Sequence, residues 1–240
     1  MMYMAYNPQY QMDGTLLVKY NSFTDLYVSV YLNDVSNCDM RVTRNEIVNP
    51  GYTGVSVYQG YYPASGIDLS PSRFLIEHNT IHGEGPYAIG IELIDRWYYL
   101  RSLSSTEAVV SNNRISLDTR WGGIYDFCVQ NAAVTNNIVS GTMMSALFPG
   151  VFGTGTSNWA IVGNNVQGYS PYFSSLDAAI WLGNKTSLCT VVGGPNKTNV
   201  LDEGTDNILV GVTKVGGEGL GEEIKEGMRQ RMEVRKGMPW

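Results

Sequence analysis

The chain is expected to be an all-β solenoid. Two observations carry that expectation: a phrase with Asn between apolar residues occurs six times, and short β-branched strands follow it at coil-length intervals. The phrases are VKYNSF at 18–23, VTRNEI at 42–47, IEHNTI at 76–81, VSNNRI at 110–115, VTNNIV at 134–139 and IVGNNV at 161–166. Their asparagines, Asn21, Asn45, Asn79, Asn113, Asn137 and Asn164, are spaced by 24, 34, 34, 24 and 27 residues. Units of this length stack, because one alone cannot bury its apolar face.

With Asn as position zero, position −3 is Val18, Val42, Ile76, Val110, Val134 or Ile161. Position +2 is Phe23, Ile47, Ile81, Ile115, Val139 or Val166. All twelve are apolar in a chain that is 43% apolar overall. Positions −2 and +1 are mostly polar, so each phrase shows one strand entering a bend and another leaving it, each with an inward and an outward face. Asn suits the bend because it tolerates left-handed backbone. Stacked on an equivalent Asn one coil away, its amide donates to one neighbour and accepts from the other. The pattern therefore predicts a parallel β-helix with an Asn ladder and coils about 4.8 Å apart.

A second strand follows in several coils, usually opened by glycine: GVSVY at 54–58, GIELI at 90–94, GIYDF at 123–127 and the similar AIWLG at 179–183. LYVSVY at 26–31 plays this part in the first coil. Alternation points Val55, Ile91, Ile124 and Ile180 inward, and Ser56, Glu92, Tyr125 and Trp181 outward. CTVVGG at 189–194 and NILVGV at 207–212 suggest a last, incomplete coil. After Gly216-Gly217, Leu220, Ile224, Met228 and Met232 recur every four residues, an amphipathic helical stripe. Glu222 and Glu223 near its start and Arg235 and Lys236 near its end suit the helix dipole. The expected organisation is a parallel β-helix over 1–215 and an amphipathic α-helical segment over 216–240. That segment either caps the open end of the stack or mediates oligomerisation.

On the Asn phrases and the GI strands that follow them, residues 18–212 resemble the right-handed parallel β-helix proteins of the pectate-lyase-like superfold. The resemblance implies a single-stranded right-handed parallel β-helix. It implies no single activity, since that fold carries polysaccharide lyases, hydrolases, epimerases, phage tailspikes and members without a known reaction. The paired-Asp and Gly-His-Gly signatures of polygalacturonases are absent from the chain, so no catalytic residue carries over.

Composition narrows the partners. A charged fraction of 16% and 27 glycines describe a folded, many-turned protein. The net charge of −6 and the lack of a basic stripe argue against nucleic acid. No apolar run approaches the ~18 residues of a membrane span. The first residues, MMYMAYNPQYQMDG, lack the basic and apolar regions of a secretory signal. The expectation is a cytoplasmic protein or a piece of a longer exported one. Cys38, Cys128 and Cys189 are odd in number and widely spaced, which reads as buried free thiols. The sequons at Asn184 and Asn196 matter only in a glycosylating pathway.

Both 34-residue spacings carry extra, aromatic segments after the second strand: YQGYYP at 58–63 and DRWYYLR at 95–101. Long loops on a rigid stack are where function concentrates. Aromatic faces beside Asp, Arg and Gln suit sugars, whose C–H faces pack on rings while their hydroxyls take the polar groups. The expected glycan-binding residues are Tyr58, Tyr61, Tyr62, Trp97, Tyr98, Trp121, Tyr125 and Trp181. Loop packing is the competing role for the same rings. The catalytic candidates are Glu92, Asp95, Arg96, Arg120 and Asp126. Glu92 with Asp95 or Asp126 would give the carboxylate pair of a glycoside hydrolase, which needs about 5–9.5 Å between the two. A uronate lyase would need Arg or Tyr as base and Ca²⁺ on clustered acids; no dense Asp cluster is present, and no other cofactor is implied. His78 and His82 lie on the opposite bend and are not read as a metal site. The leading expectation is a β-helix protein that binds a polysaccharide or oligosaccharide through an aromatic-lined groove. A polysaccharide lyase or glycoside hydrolase is the first alternative. A structural or surface-spike scaffold, forming a homo-oligomer, is the second.

Overall fold

The computed structural model describes residues 2–4, 14–33, 38–59, 73–95, 107–127, 129–149, 156–173, 177–184, 186–195 and 198–216. Every named strand pairing is parallel. An eight-stranded sheet runs in order through Gly14–Lys19, Cys38–Thr43, Arg73–Glu77, Glu107–Ser111, Ala132–Thr135, Ala160–Val162, Thr190–Val192 and Ile208–Val210. A six-stranded sheet holds the strands that leave each Asn bend, from Ser22–Thr24 to Tyr169–Pro171. A nine-stranded sheet holds the second strands: Met2–Met4, Val28–Asn33, Thr53–Gln59, Ile89–Asp95, Gly122–Phe127, Ser145–Phe148, Ile180–Leu182, Asn199–Asp202 and Thr213–Val215. Thr156–Ser157 and Thr186–Ser187 pair separately. Each strand's neighbours lie one coil away, which is a parallel β-helix.

Register places like residues over like. Val18, Val42, Ile76, Val110, Val134, Ile161 and Val191 form one buried inward column. Val30, Val55, Ile91, Ile124, Leu147, Ile180 and Val200 form another, as alternation predicted for Val55, Ile91, Ile124 and Ile180. Strand-opening glycines mark a tight corner. A Cβ on Gly54, Gly90 or Gly123 would lie 2.7, 2.6 or 2.7 Å from a carbonyl oxygen of the next coil.

The six asparagines make one continuous hydrogen-bonded row. Nδ2 of Asn21, Asn45, Asn79, Asn113 and Asn137 donates to Oδ1 of the next Asn at 3.0–3.1 Å. The backbone N–H of each donates to the same oxygen at 2.9–3.0 Å. The second Nδ2 proton of Asn45, Asn79, Asn113, Asn137 and Asn164 goes to the carbonyl of Val18, Val42, Ile76, Val110 and Val134 respectively. Each interior side chain thus uses both protons and both lone pairs, the condition for burying an amide without penalty.

One expectation is corrected. The left-handed residue is the one before each ladder Asn: Tyr20, Arg44, His78, Asn112, Asn136 and Gly163, with φ between 54° and 67°. The ladder Asn keeps ordinary φ, because its own N–H and side chain must both reach the next coil. Left-handed backbone costs a non-glycine residue roughly 1–2 kcal/mol, and Tyr20, Arg44 and His78 bear that strain. A second left-handed column, Asn131, Asn158, Leu188 and Asp206, starts the strands of the eight-stranded sheet. Sequence analysis also missed the strands Met2–Met4 and Ser145–Phe148. The helical segment expected over 216–240 lies, beyond Gly216, outside the described residues.

Two outcomes follow for stability in denaturant titrations. Asn113→Leu orphans the donors of Asn79 and the carbonyl of Ile76 and should cost about 3–5 kcal/mol, whereas Asn21→Leu at the exposed end should cost under about 1 kcal/mol. His78→Gly relieves the left-handed strain, partly offset by glycine's greater unfolded-state freedom, and should stabilise by about 0.5–1 kcal/mol.

Candidate functional site

The outward column of the nine-stranded sheet carries the chemistry. Ser56, Glu92, Tyr125 and Phe148 are successive register partners, followed through the next pairings by Trp181 and Leu201. These residues face away from the solenoid interior, as alternation predicted, but they are not wet. Glu92 is 2% exposed, Tyr125 4%, Trp121 3% and Trp181 0%. Ile89, Trp121, Tyr125, Met144, Phe148, Ala178, Trp181 and Leu201 make a second hydrophobic core outside the coil, with Tyr87, Phe173 and Val215 packed against it. The rings of Tyr125 and Phe148 sit 4.8 Å apart. Trp181 Nε1 donates to Glu203 Oε2 at 2.9 Å.

Trp121, Tyr125 and Trp181 therefore offer no open aromatic platform; they pack side chains onto the stack. The cause is contact between neighbours. The Tyr125 and Phe148 rings, one coil apart, pack on each other at a tilt, and Met144 and Ala178 belong to the same buried cluster.

Glu92 is the buried carboxylate of this face. Ser56 Oγ donates to its Oε2 at 3.2 Å, and Thr53 Oγ1 lies at a longer 3.5 Å. A carboxylate kept out of water beside hydroxyl donors is expensive to hold and is the kind of group that acid–base chemistry uses. Asp95 and Asp126 do not share its register position. Asp126 is in register with Leu93, a core residue, and Asp95 with Gln59. Their side chains, and that of Tyr58, lie outside the described set.

Arg120 stands apart from these acids. It precedes the strand Gly122–Phe127, while Asp126 lies near its far end, about 20 Å away along extended chain. Its Nε donates to Tyr172 Oη at 3.1 Å, and its guanidinium sits 5.8 Å from that ring's centroid. Tyr61, Tyr62, Arg96, Trp97 and Tyr98 fall outside the described residues. The strands that lead into their segments end side by side, however, with Tyr58 paired to Ile94 and Gln59 to Asp95.

Other polar groups belong to the frame. His78 occupies a left-handed corner, and His82 Nε2 lies 3.8 Å from Glu46 on an exposed surface. Among the described residues, no three His, Cys, Asp or Glu side chains gather as a metal would need. Burial, and then the negative charge of Asp177, pushes the Tyr169 phenol far above its ordinary pKa. It stays protonated and donates to Met144 O at 2.9 Å. At the first corner, a hydrogen bond from Arg44, aided by Lys19, lowers the pKa of Tyr20. Cys189 is a buried free thiol, as expected; the side chains of Cys38 and Cys128 lie outside the described set. No described helix is long and apolar enough to cross a membrane.

Sequence reasoning missed Met144, Phe148, Tyr87 and Phe173 as parts of this outer core. The one available signal was the run MMSALF at 143–148, in which Ala146 takes the place of a strand-opening glycine.

Stacked parallel strands, inward aliphatic columns and the Asn row define a parallel β-helix protein. Over residues 9–194 the chain matches the family described as right handed beta helix region, and it belongs to that family. Comparison with curated proteins and with solved structures returns no match.

Burial of the indoles gives a direct check. With Trp97 and Trp240 both replaced by Phe, emission from Trp121, Trp159 and Trp181 should be blue-shifted and nearly insensitive to acrylamide. Strong quenching would contradict a covered outer face.

Proposed function

We propose that the protein binds a polysaccharide or oligosaccharide through the aromatic segments that follow the paired strands Thr53–Gln59 and Ile89–Asp95. One observation carries this reading. The two 34-residue spacings insert their extra length at neighbouring strand ends in register, so YQGYYP and DRWYYLR leave the same edge one coil apart. Tyr58, Tyr61, Tyr62, Trp97 and Tyr98 supply rings for sugar faces, and Asp95, Arg96 and Gln59 supply polar groups for hydroxyls.

A second reading, turnover of the bound glycan by a lyase or hydrolase, is favoured by the buried Glu92 alone. With Asp95 and Asp126 out of its register column, its partner acid or base would come from the inserted segments.

Calorimetric titration with neutral and acidic oligosaccharides tests binding. A binding glycan should lose at least about tenfold in affinity with Trp97→Ala, since one buried aromatic contact is worth about 1.5 kcal/mol or more. Glu92→Gln should leave binding intact and abolish product release if turnover occurs. Absence of heat across the whole panel overturns the proposal.

A further inference from the structure

The outer face of the eight-stranded sheet changes character along the rod. Its first three strands present Lys19, Asp39, Arg41, Arg73 and Glu77, and Glu107 opens the fourth. From the fourth strand onward, two outward columns carry no charge across five coils. One runs Val109, Ala133, Ala160, Thr190, Ile208; the other runs Ser111, Thr135, Val162, Val192, Val210. At its C-terminal end this strip is open to solvent, with Ile208 58% and Val210 50% exposed.

We propose that the segment 217–240 lies as an amphipathic helix along this strip. It would cover the side of the solenoid and not its end. Chain path delivers it there. After each strand of the nine-stranded sheet the chain passes to the eight-stranded sheet, twice by way of the short pair Thr156–Ser157 and Thr186–Ser187, and Thr213–Val215 is the last of the nine, so the chain leaves Gly216 toward Ile208–Val210. Dimensions agree. The strip spans four coil spacings, about 19 Å, and the stripe from Leu220 to Met232 spans about 18 Å as helix. Its width of two outward residues, about 10 Å with side chains, fits one helix diameter.

Charge agrees as well. Fifteen residues from Leu220 bring Arg235 about 22 Å back along the rod, to the strands where the charged region begins with Glu77 and the Arg73–Glu107 pair. A second copy is the weaker occupant, because a strip of roughly 200 Å² falls far below the about 800 Å² per partner of a stable interface.

Hydrogen–deuterium exchange of the full chain, with solution mass measured in parallel, tests this. Amides of 220–232 should exchange at least about tenfold more slowly than unstructured peptide. That protection should be lost in Val162→Asp and in Ile208→Glu. It should persist in Ile138→Asp, which puts the same charge on an exposed position of the six-stranded sheet. Either strip variant suffices if the other fails to fold. The proposal is overturned if the segment is unprotected in the native chain, or if its protection survives both strip variants. A dimer that Val162→Asp dissociates without changing exchange at 220–232 also overturns it, and assigns the strip to a second copy.

Discussion

One requirement governs this fold: a buried carboxamide must spend both its protons and both its lone pairs. In the row from Asn45 to Asn137 each Oδ1 takes two donors from the preceding coil. Each Nδ2 feeds the next Oδ1 and a carbonyl of the preceding coil. A slip of one residue at any bend would unpair several of these groups at once, at about 1–3 kcal/mol each. Register is therefore set at the bends, and the strands inherit it. This is why the aliphatic columns stay aligned although the asparagines are 24 to 34 residues apart. Ten extra residues in a loop cost only a fraction of a kcal/mol in closure entropy, so the stack tolerates insertions wherever the row is undisturbed.

The same requirement explains the neighbouring residue. With the Asn committed to its row, the turn in the chain falls on the position before it, whatever its side chain. Tyr, Arg and His accept left-handed backbone there because the amide bonds on the next residue outweigh the strain. Where exposed side chains stack above one another on this corner, they find each other: Arg44 bonds to the Tyr20 hydroxyl at 2.7 Å.

Legibility in the sequence followed the strength of the physical constraint. Val18, Ile76, Ile115 and the ladder asparagines could be read because each position admits few residue types. The inward assignments of Val55, Ile91, Ile124 and Ile180 followed from period-two alternation alone. What alternation does not encode is whether an outward side is wet. Glu92, Tyr125 and Trp181 were placed on the correct side of the strand, yet the structure buries all three, Tyr125 and Trp181 in one cluster with Met144 and Phe148. Aromatic residues suit a sugar platform and a second core equally well, since both need a large ring with a polar handle. Trp181, with its indole N–H satisfied by Glu203, has the arrangement of a packed ring. Weakly patterned strands were lost for a related reason. Ser145–Phe148 opens without glycine, and Met2–Met4 precedes the first phrase.

These constraints divide the rod into faces with different duties. The six-stranded sheet and the bends are committed to register. The nine-stranded sheet bears a second core on its outer side, built mainly by the later coils from Trp121 to Leu201. The same sheet buries Glu92. Its hydroxyl partners Ser56 and Thr53 come from the adjacent coil, the same coil that leads into the first inserted segment. A disturbance of that segment therefore reaches the carboxylate through a single strand. Glu92 and the strand that leads into the first inserted segment thus meet across two neighbouring coils, and no longer-range pathway is required to link them.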